Sequence, residues 1–224
     1  SELIYAKAFQ NPQDKKWYLL WGSCYEPINI QELNHDLTGF REGSAPVHLL
    51  VPDPANKLTK LYEAAWMTAR KDTKTGKTWF YLYTSGPDAF GDESYTVQVA
   101  RSEEGPLSGF VTMEQATGRK NSVIYASNAA FVNPGASAIT VDDAGQEWLV
   151  SHATLRSDVP DYASLRQSPD ELWKRLRYLR RVMIIDPIAY KDGWPVIGNA
   201  TPSMTPQNAP AKSRRPQNDP LPSR

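Results

Sequence analysis

The strongest constraint on this fold is a pattern that occurs three times along the chain. Each copy contains a strand, a polar turn, an aromatic-rich strand and a few small residues, and the aromatic strands carry Trp17, Trp79 and Trp148. Their separation by several tens of residues is typical of blades built from four antiparallel strands. The pattern predicts an all-β fold. We favour a β-propeller over a β-sandwich with long loops because each copy has its own hairpin.

Strand and turn signals around these tryptophans predict the rest of the architecture. The predicted strands cover residues 3–9, 17–21, 27–33, 48–51, 61–68, 79–83, 95–100, 138–141, 147–150, 181–185 and 194–197. One helix is predicted at 168–178, where Ser168, Pro169 and Glu171 form a capping signal. We expect one β domain over residues 1–200 and a disordered, Pro-rich tail over 201–224.

The composition excludes several classes of protein. The chain has 25 basic and 25 acidic side chains, so it has no net charge that would attract it to nucleic acid. No apolar run is long enough to cross a bilayer, and Cys24 has no second cysteine for a disulfide. The first residues lack a signal-peptide pattern and open almost directly into a strand, which suggests that the beginning is missing.

Glu63 is the first candidate catalytic residue. It is the single carboxylate in the otherwise apolar run 61–67, a pattern that suits a strand near the centre of a sheet. Burial at such a position raises the pKa of a carboxyl group, and a general acid needs a raised pKa at neutral pH. The alternative is an edge-strand glutamate that points into water.

Three groups of segments, taken in order, resemble glycoside hydrolase family 43. The matching segments are Tyr62-Glu63-Ala64-Ala65-Trp66, then 79–85, 95–102 and 105–106, and finally Gly135 with 143–153, 181–188 and 192–195. Members of this family are five-bladed β-propellers that cleave arabinosyl or xylosyl linkages. The resemblance covers the chain from Ile4 to about Pro202 and implies a five-bladed propeller type whose first blade or blades are missing.

The resemblance also implies an inverting hydrolase of arabinose- or xylose-containing glycans. In such an enzyme one carboxylic acid protonates the leaving oxygen and a second carboxylate activates water. Glu63 matches the general acid, and Tyr5 matches a position where the family usually has an aspartate that tunes this acid. A neutral phenol cannot supply the same field. Because the family's general base lies upstream of the matched residues, activity is expected to be lost, and the alternative is a non-catalytic carbohydrate-binding propeller.

Further site residues are implied by the same resemblance. Arg181 matches an arginine of the substrate pocket, with a structural ion pair as the alternative, and Tyr5 and Trp66 complete the predicted substrate-binding set. His152 matches a position where some members hold a metal, so a structural Ca ion in the central channel is implied. A hydrogen-bonded core histidine is the alternative. The sequence has Ala136-Ser137 where a Gly-His-type pair is usual.

The expected partner is a pentose-containing glycan rather than nucleic acid or a membrane, and no cofactor is required. The family resemblance implies an extracellular protein. The open sheet edges of an incomplete ring predict self-association with another chain.

Overall fold

The computed structural model of the chain describes residues 4–87, 89, 92–159 and 180–212. Strands dominate these residues, so the prediction of an all-β fold is confirmed. The helix predicted at 168–178 lies outside the described residues. Within the described ranges, no helix is both long and apolar enough to cross a membrane.

Three antiparallel sheets, here called blades A, B and C, follow one another along the chain. Blade A contains β1 (Lys7–Gln10), β2 (Trp17–Trp21), β3 (Ile28–Glu32) and β4 (Val47–Leu50) in that spatial order. Blade B contains β5 (Glu63–Lys71), β6 (Thr78–Gly86), β7 (Thr96–Ser102) and β8 (Val111–Thr112), with β9 (Val123–Tyr125) also paired to β7. Blade C contains β10 (Phe131–Val141), β11 (Glu147–Leu155) and β12 (Arg181–Pro187). The remaining elements are the hairpin of β13 (Ala189–Lys191) and β14 (Trp194–Val196), helix α1 (Met113–Thr117) and a 3-10 turn at Arg156–Asp158.

The threefold recurrence in the sequence corresponds to these blades. Trp17, Trp79 and Trp148 lie on β2, β6 and β11, the second strand of each blade. Strand β10 begins well before the predicted residue 138, because two register shifts between Val132 and Ala138 interrupt the alternation by which a strand is recognised. The short strands β8, β9 and β13 were not predicted.

Blade B is buried on both faces, which explains why the middle of β6, from Trp79 to Tyr83, is aromatic or aliphatic throughout. Phe80 and Leu82 face blade A, whereas Tyr81 and Tyr83 face blade C, as the two-residue period of a strand requires. All four side chains are at most 1% exposed. Because three sheets pack in series through two cores, the alternative of a two-sheet sandwich is wrong for the described residues.

The hairpin of β13 and β14 is held against blade B by a stacked arginine. The Arg101 guanidinium lies between the rings of Trp79 and Trp194, at 4.1 and 4.0 Å from their centroids. Arg101 Nη1 and the Tyr81 hydroxyl both donate to the carbonyl of Gly193. Cation–π contacts of this kind fix the hairpin next to the core between blades B and C.

The first part of the predicted tail lies against blade C. The amide of Ser203 and the side chain of Gln207 donate to the buried carboxylate of Asp186. The amide of Ala211 donates to Asp142 Oδ2 at 2.9 Å. Residues 213–224 lie outside the described part of the chain.

Candidate active site

A cleft lies at the end of the blades where their first strands begin. Among these first strands, β5 contacts both β1 and β10. The cleft has a volume of about 520 Å³ and is lined by Tyr5, Tyr25, Lys60, Leu61, Glu63, Pro87, Ala89, Tyr95, His152 and Arg181. The structure therefore brings together Tyr5, Glu63, His152 and Arg181 from the predicted site residues.

Glu63 is the first residue of β5, and its half-buried side chain lines the cleft. The register between β5 and β6 shifts between Glu63 and Trp66, and Ala64 has a φ of 49°. A β-bulge of this kind changes the direction of a side chain at the end of a strand. The Tyr95 hydroxyl donates to Glu63 Oε2 at 2.9 Å, and the Cys24 thiol lies 3.8 Å from Oε1.

Tyr95 is a site residue that the sequence analysis did not recognise. Its side chain is 1% exposed, and its ring lies on the backbone of Gly135, where a Cβ atom would be 1.9 Å from Tyr95 Cε1. Burial, and then the Glu63 carboxylate, raise the pKa of Tyr95 well above its usual range, so its hydroxyl is a donor at all working pH values. In the sequence Tyr95 reads only as the start of a strand. Tyr95 is the residue before β7, and Glu63 is on β5, so their contact joins two parts of blade B that are separated by β6.

Tyr5 lies two residues before β1 and faces the same cleft. Its φ is 56°, an unusual backbone conformation for a bulky residue, and its side chain is 41% exposed. Burial raises the pKa of Tyr5, and the neighbouring Glu63 carboxylate adds to this effect. The phenol is therefore neutral at pH 7 and offers the cleft a hydrogen-bonding hydroxyl rather than a second negative charge.

Arg181 and His152 form a hydrogen-bonded pair on blade C. Arg181 Nε donates to His152 Nδ1 at 2.6 Å, and Nη2 donates to the carbonyl of Asn133 at 2.9 Å. Nη1 donates to Thr154 Oγ1 at 3.3 Å. Burial, and then the Arg181 charge, lower the pKa of His152 to about 4, so the imidazole is neutral at pH 7. These acceptors fix the guanidinium plane at the edge of the cleft.

The residues around His152 do not fit a calcium ligand set. Nδ1 accepts the hydrogen bond from Arg181, so the neutral imidazole carries its proton on Nε2 and offers no lone pair there. The guanidinium beside it also repels a dication. Among the described residues, no group of three His, Cys, Asp or Glu side chains could hold a metal. The described side chains around His152 therefore give no support to a calcium ion at this position. The ion stays a prediction of the family resemblance, and no chemical step below depends on it.

Trp66 lies apart from the other predicted site residues. Its half-buried ring packs against the core between blades B and C, and Lys7 Nζ lies 5.5 Å from the ring centroid. Apart from His152, which lies within β11, the residues that line the cleft come from the ends of strands and from loops. The predicted substrate contact of Trp66 stays a prediction.

Comparisons with known proteins agree with this architecture. The sequence matches the model of Glycosyl hydrolases family 43 over residues 2–195. A search of curated proteins finds no match. Among solved structures, a thermostable family-43 glycoside hydrolase has a TM-score of 0.67 and 19% sequence identity, covering 95% of this chain and 62% of that protein.

Two further structures show the same fold. An α-L-arabinanase from Cellvibrio cellulosa, complexed with arabinohexaose, has a TM-score of 0.62 and 17% identity, covering 86% of this chain and 56% of that one. An endo-1,4-β-xylanase from Bacteroides thetaiotaomicron has a TM-score of 0.61 and 17% identity, covering 89% of this chain and 59% of that one. The chain thus spans about three fifths of the length of these structural relatives.

The relatives are five-bladed β-propellers, and the open series of blades A, B and C fits a partial propeller, which confirms the predicted fold class. The family match extends over most of the chain, which confirms the resemblance inferred from the sequence motifs. This chain belongs to glycosyl hydrolases family 43.

Proposed function

We propose that Glu63 is the general acid of a glycosidase site that cleaves arabinose- or xylose-containing glycans with inversion. The observation that carries this proposal is the position of Glu63, half-buried at the cleft end of the first strand of the middle blade, with Tyr95 bonded to its carboxylate. Family membership supports the reaction class. The arabinohexaose complex of the Cellvibrio relative supports the class of substrate.

In this reaction the protonated Glu63 donates to the glycosidic oxygen while the bond to the anomeric carbon breaks. Water attacks the opposite face and needs a second carboxylate to accept its proton. Among the described residues that line the cleft, Glu63 is the one carboxylate. The described part of the cleft therefore supplies the acid half of the machinery, together with the Tyr5 hydroxyl and the Arg181 guanidinium, which suit the hydroxyl groups of a sugar.

A second candidate function is carbohydrate binding without turnover. It is favoured by the sequence resemblance, which matches Tyr5, a residue of the cleft wall, to a position where the family usually has its tuning aspartate. With Glu63 as the one carboxylate among the described residues that line the cleft, a sugar could bind among the polar side chains and remain intact.

The test separates these candidates by supplying a nucleophile that needs no general base. Azide attacks the anomeric carbon without a base, so an intact acid half should release glycosyl azide of inverted configuration from arabino- or xylo-oligosaccharides. We expect very slow turnover without azide and faster turnover with it, both measured by NMR. Glu63→Gln should abolish this gain, whereas Glu103→Gln, which changes an exposed carboxylate outside the cleft, should leave it unchanged.

The leaving group provides a second check on the role of Glu63. Aryl glycosides with good leaving groups need little acid assistance, so Glu63→Gln should retain more activity on them than on natural oligosaccharides. An equal loss on both substrates would contradict the acid assignment. Retardation by glycans in affinity electrophoresis, without turnover in azide, would support the binding function, and the absence of both would refute both candidates.

A further inference from the structure

The contact between Tyr95 and Glu63 distinguishes the two oxygens of the carboxyl group. The buried Tyr95 hydroxyl donates to Oε2 at 2.9 Å, whereas the thiol of the exposed Cys24, a weak donor, donates to Oε1 at 3.8 Å. Because Tyr95 is 1% exposed, its hydroxyl has little access to water as an alternative partner. The carboxyl group therefore has one oxygen bonded to a strong, buried donor and one oxygen bonded to a weak, exposed donor, in a side chain that lines the cleft.

We propose that Tyr95 is a positioning residue that determines which oxygen of Glu63 carries the acidic proton. This inference rests on the proposed role of Glu63 as the general acid. An oxygen that accepts a hydrogen bond from a phenol acts as the carbonyl oxygen of a protonated carboxyl group, so the proton of Glu63 is placed on Oε1. During cleavage this proton moves from Oε1 to the glycosidic oxygen, which also takes the electron pair of the breaking bond. Tyr95 keeps its own proton and stabilises the carboxylate that remains.

Blade C holds the Tyr95 ring in place. The ring lies against Gly135, where no side chain larger than hydrogen fits. The backbone of this segment is fixed by two hydrogen bonds, from Ser151 Oγ to the Gly135 carbonyl at 2.6 Å and from the Ala136 amide to Ser85 Oγ at 2.9 Å. The direction of the Tyr95 hydroxyl is thus set by packing between blades B and C, which is the arrangement expected of a positioning residue.

The experiment measures the titration of the Glu63 carboxyl group directly. The chain is labelled with ¹³C at glutamate side-chain carboxyl carbons, and the Glu63 signal is assigned by its loss in Glu63→Gln. A hydrogen bond that favours the ionised form lowers the titration midpoint, so Tyr95→Phe should raise the Glu63 midpoint by about one pH unit. The matched control is Tyr125→Phe, which removes another buried hydroxyl bonded to a carboxylate, that of Asp186 on the far end of β12.

A second variant covers the case in which Tyr95→Phe does not fold. Replacing Tyr95 by 3-fluorotyrosine keeps the shape of the ring but makes the hydroxyl a stronger donor, so the Glu63 midpoint should fall. A Glu63 midpoint that is unchanged in the variants that fold, or that changes equally in Tyr125→Phe, would overturn the proposal. The titration does not depend on turnover, so a shifted midpoint in a protein that fails the azide test would refute the proposed function and leave the positioning role standing.

Discussion

The pair of Arg181 and His152 predicts how the stability of this chain depends on pH. In the folded chain the pKa of His152 falls from its ordinary value of 6.5 to about 4, because burial and the Arg181 charge disfavour imidazolium. Between these values the unfolded chain binds the proton and the folded chain does not. The contribution of His152 to the free energy of unfolding is therefore fully present above about pH 6.5 and is lost as the pH falls towards 4.

The expected loss of unfolding free energy follows from the size of the pKa change of His152. Each pKa unit corresponds to about 1.36 kcal/mol, so a fully desolvated group with this change would contribute about 3 kcal/mol. Because the His152 ring keeps partial contact with solvent, screening reduces the expected loss to about 1.5 kcal/mol. The assay is urea unfolding at several pH values between 4 and 7.5, compared between the native chain and His152→Gln.

Glutamine accepts a hydrogen bond from Arg181 but does not titrate, so this variant removes the histidine contribution alone. Carboxylates that titrate at low pH act equally in both proteins and cancel in the difference. His35→Gln, at an exposed position, should keep the pH dependence of the native chain. The reasoning fails if His152→Gln loses as much stability between pH 6.5 and 4 as the native chain, or if the His152 ring titrates near 6.5 by NMR.

Three further predictions concern packing and assembly. Gly135→Ala should cost about 1–3 kcal/mol or more in urea unfolding because its Cβ would overlap Tyr95. Gly39→Ala should cost little because its Cβ would meet Asn34 Nδ2 at 3.8 Å, an ordinary van der Waals contact, and equal costs would contradict the packing argument. Leu20→Ala should cost about 2–5 kcal/mol because Leu20 is wholly buried between blades A and B, and the exposed Leu37→Ala should change stability only slightly. Self-association through open sheet edges should appear as a concentration-dependent mass in light scattering, and a monomer at high concentration would refute it.

Much of the fold could be predicted from local patterns. Alternation and aromatic content identified Trp17–Trp21 to the residue and placed Trp79 and Trp148 on the second strands of their blades. Such signals are local, because the two-residue period of a strand is present in the sequence itself. The bulged part of β10 was missed since its residues between Val132 and Ala138 do not alternate. The same irregularity supplies Gly135, on which the Tyr95 ring lies.

The site was predicted only in part, and the reason is the distance along the chain between its members. Glu63 stood out because a lone carboxylate in an apolar run is visible locally, and motif matches suggested Tyr5, His152 and Arg181. Only the stacking of the blades placed these side chains in one cleft and put the Tyr95 hydroxyl on Glu63. That contact depends on which strand ends meet after three sheets have packed together. The sequence by itself determined the longer strands and the family, and the tertiary structure decided which polar groups share the cleft, because sheet stacking joins residues that no local period relates.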